Sequence, residues 1–388
     1  MLCPFLSYFF HIISFFRIRS FFFGSFLNRP FVSDKTTRLY ISTPFLFPMI
    51  DDTLKIFKEL TKKDFRILAG IELGMRDFEW VPVSEIQRFA CMSLDKLNYR
   101  LEWLRRKKMV IGTLDPYEGY KIYFEAYDAL ALHTYVARKT FSAIGVEIGV
   151  GKESVVMEVL KEPEMAVADP EVFILKLHRE GRTSFKQVKR TREHLAGKEH
   201  FSWIYAARLA ANREFNIMQK LWPDVSIPKP IDQNRHTLVM EVAQGSELFK
   251  TKLLDPDWFL DEILRQIKLV YGKGIIHNDL SEYNIFVSED GIQIIDWPQY
   301  VTLAHPHADE LLRRDVENVL NHFSKKYKIR RDIDEIIREI KTENSIDLEK
   351  LKKEFPDDEV RLNAEMDREI ESAVNELEDC GIDFEREN

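Results

Sequence analysis

The stretch from Ile275 to Pro298 constrains this chain more than any other. Two short apolar runs each end in a polar cluster: Ile275-Ile276-His277-Asn278-Asp279-Leu280-Ser281-Glu282-Tyr283-Asn284-Ile285, then Ile292-Gln293-Ile294-Ile295-Asp296-Trp297-Pro298. The turn Glu289-Asp290-Gly291 lies between them, so the pattern predicts short strands joined by tight loops, with carboxylates and an amide at strand ends. A carboxylate closing an otherwise apolar strand suits a metal ion that bridges two phosphates. On that reading Asp279 accepts or orients the proton of an attacking hydroxyl or water, and Asn284 coordinates Mg2+ through its amide oxygen. His277 either hydrogen-bonds to hold the loop or is simply a satisfied core histidine.

Three upstream elements point the same way. Gly145, Gly149 and Gly151 precede Lys152, Glu153 and Ser154, and the apolar run from Val155 to Leu160 follows. Glycines let backbone N–H groups approach phosphate oxygens, and the Ser154 hydroxyl could add a hydrogen bond. A Walker A loop is excluded, because Val146 occupies its first glycine position and Glu153 follows the lysine. Lys176 sits inside the apolar strand Val172-Phe173-Ile174-Leu175-Lys176-Leu177. Such a lysine either faces water at a sheet edge or needs a buried charge partner. Glu214, in the helical run Ala206 to Gln219, is the best candidate partner. The apolar run Leu238-Val239-Met240-Glu241-Val242 leads into Gly245 as a hinge would. There Glu241 and Val242 are placed to offer backbone hydrogen bonds to a base edge, with Met240 behind it.

The rest of the chain divides by pattern. Residues 1–48 hold 12 of the 28 phenylalanines. Arg17 and Arg19 stop their apolar run at about 15 residues, short of the roughly 20 a membrane helix needs. We expect this extension to lie outside the functional protein, with a targeting peptide as the alternative. Residues 49–140 show apolar residues at helical intervals, with Ser84 and Ser93 as candidate caps, and a turn signal at Asp115-Pro116-Tyr117-Glu118-Gly119 between two strand-like runs. Helices followed by a hairpin are the order of a winged helix, here ending in a connecting helix over 128–140. A longer helix carries Lys96, Arg100, Arg105 and Arg106 on the face opposite its apolar stripe, followed by Lys107 and Lys108. Yet residues 49–135 balance 14 basic against 14 acidic residues, so a nucleic-acid target and a protein target both stay open. Residues 141–330 form the domain that carries the motifs. Residues 331–388 hold 21 acidic against 9 basic residues, a net of −12, which leaves +4 on the rest of a chain of net −8. This acidic tail, helical or disordered, is either simply solvated or competes with an anionic partner for the body. Cys3, Cys91 and Cys380 are too scattered for a disulfide framework, and a reducing, cytoplasmic location is expected.

With these residues assembled, the chain resembles the RIO family of atypical protein kinases, and within it the second subfamily. The carriers are Gly149-Val-Gly-Lys-Glu-Ser154, Lys176-Leu-His-Arg-Glu-Gly-Arg-Thr-Ser-Phe185, Met240-Glu241, His277-Asn-Asp-Leu-Ser-Glu-Tyr-Asn284 and Ile295-Asp296-Trp-Pro-Gln299; with the winged helix, the mark of the subfamily, the resemblance covers roughly residues 49–330. Asp279 and Asn284 keep the spacing of a kinase catalytic loop, and Asp296 stands where kinases place the Asp of Asp-Phe-Gly. Ser154 replaces the third glycine of the usual loop. The resemblance implies an α+β fold: a winged helix, then a two-lobed kinase-like domain. It implies Mg-ATP, with Mn2+ as a substitute metal, bound by Gly149, Gly151, Lys152, Ser154, Lys176, Met240, Glu241, Val242, Tyr283 and Asn284. It also implies autophosphorylation on serine, ATP hydrolysis, and transient phosphorylation of Asp296. The implied partner is the maturing small ribosomal subunit with its rRNA. Residues 176–198 carry eight basic residues against two acidic, and the segment 179–198 within them would contact that RNA. No Ala-Pro-Glu follows Asp296, so general protein substrates are not expected. Two alternatives remain: a small-molecule phosphotransferase of aminoglycoside-kinase type, and a winged-helix regulator on an inactive kinase fold.

Overall fold

The computed structural model describes residues 50–151, 153–163, 169–179, 202–342, 347, 349, 351, 355 and 360–364. The phenylalanine-rich extension, Lys152, the segment 180–201 and most of the acidic tail lie outside the described residues.

The first unit packs the helices Ile50–Phe57, Lys62–Gly74, Val83–Ala90 and Leu94–Arg106 against a three-stranded sheet of order β1-β3-β2. Its strands are Val81–Pro82 (β1), Val110–Thr113 (β2) and Gly119–Ile122 (β3). Leu97, Leu101 and Leu104 recur at intervals of three and four and are fully buried, as an amphipathic stripe requires. Ser93 occupies the N-cap of that helix, but Pro82, not Ser84, caps the one before it. The connecting helix runs Phe124–Arg138.

That helix lies beneath a five-stranded antiparallel sheet of order β4-β5-β6-β8-β7. Its strands are Ala143–Val150 (β4), Ser154–Lys161 (β5), Glu171–His178 (β6), Pro230–Asn234 (β7) and Thr237–Glu241 (β8). Strand residues alternate between the two faces. Phe173, Leu175 and Leu177 therefore share a core with Leu132, Tyr135 and Phe141, while Lys176 and His178 fall on the other face. The helix Ser202–Leu221 carries Glu214 and packs against β6, β7 and β8.

The second lobe is built on the helices Pro256–Gly272, Ala308–Tyr327 and Ile333–Thr342. Asp255 caps the first of these by accepting from the Trp258 amide, and Pro256 follows at a position where a missing N–H loses nothing. Small sheets hold the functional loops: Ser246–Glu247 (β9), Ile285–Ser288 (β11) and Gly291–Ile294 (β12) form one, Ile275–Ile276 (β10) and Val301–Thr302 (β13) the other. Ile336 and Ile340, four residues apart, are buried in this lobe's core, so it extends past the expected boundary at 330. Leu362 is buried in the core of the first unit. Part of the acidic tail is thus packed rather than solvated. No helix among the described residues is long and apolar enough to cross a membrane.

Candidate active site

Lys176 projects from β6 beneath the glycine hairpin. Its Nζ lies 2.7 Å from both carboxylate oxygens of Glu214 and 2.7 Å from Asp296 Oδ1. Glu214 is fully buried, and it also meets His178 Nε2 at 2.8 Å and the Trp297 amide at 3.2 Å. Burial alone would push the Glu214 carboxyl up. The Lys176 charge and the His178 contact outweigh it and hold the group at about 2. Burial likewise pulls the Lys176 ammonium down, and the charges of Glu214 and Asp296 raise it above its ordinary value. Both groups are therefore ionised at neutral pH. The Asp296 side chain keeps 41% of its surface exposed, so the Lys176 cluster opens on one side.

The catalytic-type loop is tied down from below. His277 donates from Nε2 to the Ile295 carbonyl (3.0 Å), and its Nδ1 accepts from the Asp279 amide (3.3 Å). His277 is thus a holding residue with both ring nitrogens used. Asp315, on the helix Ala308–Tyr327, accepts from the amides of Asn278 (2.7 Å) and Leu280 (3.2 Å). Burial raises the Asp315 pKa, and the nearby His277 and those two amides pull against it. Asn284 donates its side-chain N–H to the Asp279 carbonyl at 2.8 Å, which leaves its amide oxygen as an acceptor. Asp279 is exposed.

Ser154, Lys176, Asp279 and Asp296 line one cavity of about 560 Å³, together with Glu153, His178, Asn278, Gln299, Arg314 and others. That volume is of the size small-molecule sites use. No cluster of three or more His, Cys, Asp or Glu that could hold a metal occurs among the described residues. Asp296 and the Asn284 oxygen are nevertheless hard donors, and Mg2+ is commonly held by one or two such groups plus substrate phosphates.

This geometry has close parallels. The family model for the RIO domain matches residues 155–336, and that for the Rio2 N-terminal domain matches residues 57–138. The chain is 42% identical over 272 residues to the RIO-type serine/threonine-protein kinase Rio2 of Methanocaldococcus jannaschii, covering 68% of this chain and 96% of that one. The chain belongs to the RIO2 subfamily of RIO kinases. It is also 37% identical over 276 residues to the serine/threonine-protein kinase rio2 of Dictyostelium discoideum, covering 70% of this chain and 52% of that one. The crystal structure of the Rio2 kinase–ADP/Mg2+–phosphoaspartate complex from Chaetomium thermophilum matches with a TM-score of 0.66 at 28% identity, covering 84% of this chain and 98% of that one. The RIO2 assignment separates the chain from enzymes of aminoglycoside-kinase type.

In this RIO2 chain the remaining expected residues are distributed as follows. Gly149 and Gly151 lie on the β4–β5 hairpin, where the Gly151 amide donates to the Ser154 carbonyl at 2.8 Å. Met240 and Glu241 end β8, and Val242 follows at the surface. The Glu241 amide donates to the Lys229 carbonyl at 2.9 Å. Tyr283 is 58% exposed and packs its ring 4.7 Å from that of Phe249. The basic face expected on the helix Leu94–Arg106 is largely committed within its own domain. Arg100 pairs with buried Asp64, Arg105 and Arg106 with Glu102, and Lys107 with Glu59. Of the basic run 176–198, Lys176 is held as above and Arg179 is buried against Asp128. His178, Arg314 and Asp315 were not anticipated from the sequence.

Proposed function

We propose that the chain is an atypical serine/threonine kinase and ATPase that binds Mg-ATP in the cavity between its lobes. One observation carries the reading: Lys176 is fixed by Glu214 and reaches Asp296 at 2.7 Å in the cavity that Asp279 also lines. Lys176 would neutralise phosphate oxygens, Gly149, Gly151 and Ser154 would approach them from the hairpin, and Lys152 would add its charge. Val242 and the Glu241 carbonyl would meet the adenine edge, beside Met240, with Tyr283 on the opposite lip. Mg2+, or Mn2+ in its place, held by Asp296 and Asn284, would offset the negative charge of the phosphates.

The transfer follows from these positions. An acceptor oxygen forms a bond to the γ-phosphorus while the bridging bond to ADP breaks. A hydroxyl acceptor, a serine of the chain itself among them, passes its proton to Asp279. The Chaetomium relative forms a complex of ADP, Mg2+ and phosphoaspartate, which supports Asp296 as an acceptor here. The Asp296 carboxylate carries no proton to dispose of. Water would then attack the acyl phosphate, Asp279 would take the proton, and phosphate release would restore Asp296, for a net hydrolysis of ATP. We place the protein in the cytoplasm, acting on the maturing small ribosomal subunit and its rRNA; family resemblance is the ground for both. The winged helix and the basic segment 179–198 are the candidates for contact with that partner, although Arg179 itself is buried against Asp128.

ADP and phosphate release by the purified full-length chain tests the catalytic part. Asp279→Ala and Asp296→Ala should each abolish turnover, and unchanged hydrolysis in both would remove the assignment. RNA crosslinking in cells, followed by sequencing, tests the partner.

A further inference from the structure

Asn278 stands between His277 and Asp279 with a left-handed backbone, φ +66°. Asparagine tolerates that region better than most residues. Every polar group it owns is used. Its amide donates to Asp315 at 2.7 Å, and its side-chain oxygen accepts from Arg314 Nη2 at 2.7 Å. Its carbonyl accepts from the same Arg314 nitrogen. Its side-chain N–H donates to the Gln299 carbonyl at 2.9 Å. That last bond leaves the catalytic-type loop and lands three residues beyond Asp296. The neighbouring His277 makes the matching bond on the near side, to the Ile295 carbonyl at 3.0 Å. The two bonds bracket Asp296, which itself holds φ +70°, a left-handed conformation uncommon for residues other than glycine. Such a conformation persists where its surroundings over-determine it.

We propose that Asn278 is a positioning residue that fixes Asp296 relative to Asp279, through its hydrogen bond to the Gln299 carbonyl and its anchor on Arg314. The proposal rests on the reading of Asp279 and Asp296 given above. Those two carboxylates sit on separate loops, and the Asn278 amide is a direct cross-link between them that lies outside the Lys176 cluster. Its loss would leave nucleotide contacts on β4–β6 and β8 intact while letting the Asp296 loop shift. A misplacement of about 1 Å at reacting groups lowers a rate by up to about 100-fold.

Two substitutions isolate the bond. Asn278→Gly keeps the left-handed backbone and removes both side-chain contacts. Asn278→Asp keeps shape, backbone preference and the Arg314 contact, but sets a carboxylate oxygen against the Gln299 carbonyl. Turnover, affinity for a non-hydrolysable ATP analogue by calorimetry, and melting temperature are measured on the full chain, with Asp279→Ala as a reference for the underlying reading. A roughly 10-fold or larger drop in kcat in both variants is expected, with analogue affinity within about twofold and the melt unchanged. The idea fails if either variant turns over like wild type, or if affinity and melting temperature fall together with kcat, as a merely structural role would require. Wild-type turnover that survives Asp279→Ala would instead sink the underlying reading.

Discussion

Two buried carboxylates in this molecule, on different helices, are built to nearly the same recipe, with their cations Lys176 and Arg179 three residues apart at the end of β6. Glu214 meets Lys176 and His178, and Asp128 meets Arg179 at 2.7 Å and His236 Nε2 at 2.8 Å. For each, burial raises the pKa and the neighbouring cation and histidine drive it down to about 2. They differ in what lies beyond the pair. Lys176 has a second carboxylate partner, Asp296, on the wall of a cavity. The Asp128 cluster is closed: the His236 ring stacks on Tyr127 at 4.5 Å, and Arg179 lies 5.3 Å over the Phe124 ring. Asp128 belongs to the connecting helix, so its ion pair joins the winged helix to the sheet, as does the Glu72–Arg235 pair at 2.8 Å. A desolvated ion pair therefore marks chemistry only where one member keeps a bond directed into open space.

The comparison breaks most visibly at Asp128. Asp128→Asn leaves Arg179 charged and buried without a counter-ion, and urea melts should show a loss of about 3–5 kcal/mol. Turnover per folded molecule should stay within about twofold. A loss under about 1 kcal/mol would reduce the cluster to the rank of a surface ion pair. Lys176→Met should do the reverse, lowering turnover by roughly 100- to 1000-fold. Its effect on stability should be the smaller of the two, because Glu214 keeps His178 and the Trp297 amide. Equal stability losses in both variants would erase the distinction.

Acid should separate the clusters as well. Burial, against the pull of Asp128, lowers His236 to about 4 from an ordinary 6.5. Between those values the unfolded chain binds the proton and the folded chain does not. Stability is therefore lost as pH falls through that window, by up to about 3 kcal/mol. Glu214 and Asp128 contribute fully above the unfolded values of 4.5 and 3.8, and their share is lost as pH falls from there toward 2. His236→Gln should remove the first loss and keep the second. Denaturation midpoints at pH 7, 5.5 and 4.5 that track wild type would count against a neutral, buried His236.

Lys176, Asp279, Asn284 and Asp296 were legible because each sits in a short run whose spacing is dictated by local chemistry. Glu214 required only a helix face. Asp315 was missed because a carboxylate in a charged helix reads as solvated. The signal was present: Asp315 falls on the stripe of Leu312, Val316 and Val319, all buried. His178 shares a strand face with Lys176 by alternation and could have been found the same way. The ion pairs that consume Arg100, Arg105, Arg106 and Lys107 depend partly on residues distant in sequence, as Arg100–Asp64 and Lys107–Glu59 show. A one-face charge pattern cannot reveal those. Ile336 and Ile340 were hidden by the net charge of the tail, although their four-residue spacing is helical.

The smallest effect applies the same distinction to glycine. Gly245 has φ +89°, and a Cβ there would collide with the Val287 carbonyl, so the fold itself requires it. Gly149 has no such need: its φ is not left-handed, and nothing lies within 4 Å of an added Cβ. In a strand, such a glycine weakens local order, and here it borders a register shift between β4 and β5. Its open side is left to whatever approaches the hairpin, which in the proposed reading is the phosphate chain of ATP. Gly149→Ala should therefore leave the melt unchanged or raise stability by a few tenths of a kcal/mol, while weakening ATP affinity by about threefold, since a methyl group would hold phosphates off the backbone amides. Gly245→Ala should lose at least about 1 kcal/mol. Undiminished ATP affinity in Gly149→Ala, measured by calorimetry, would show that the hairpin does not approach the phosphates closely and would confine the site to Lys176 and the two loops below it.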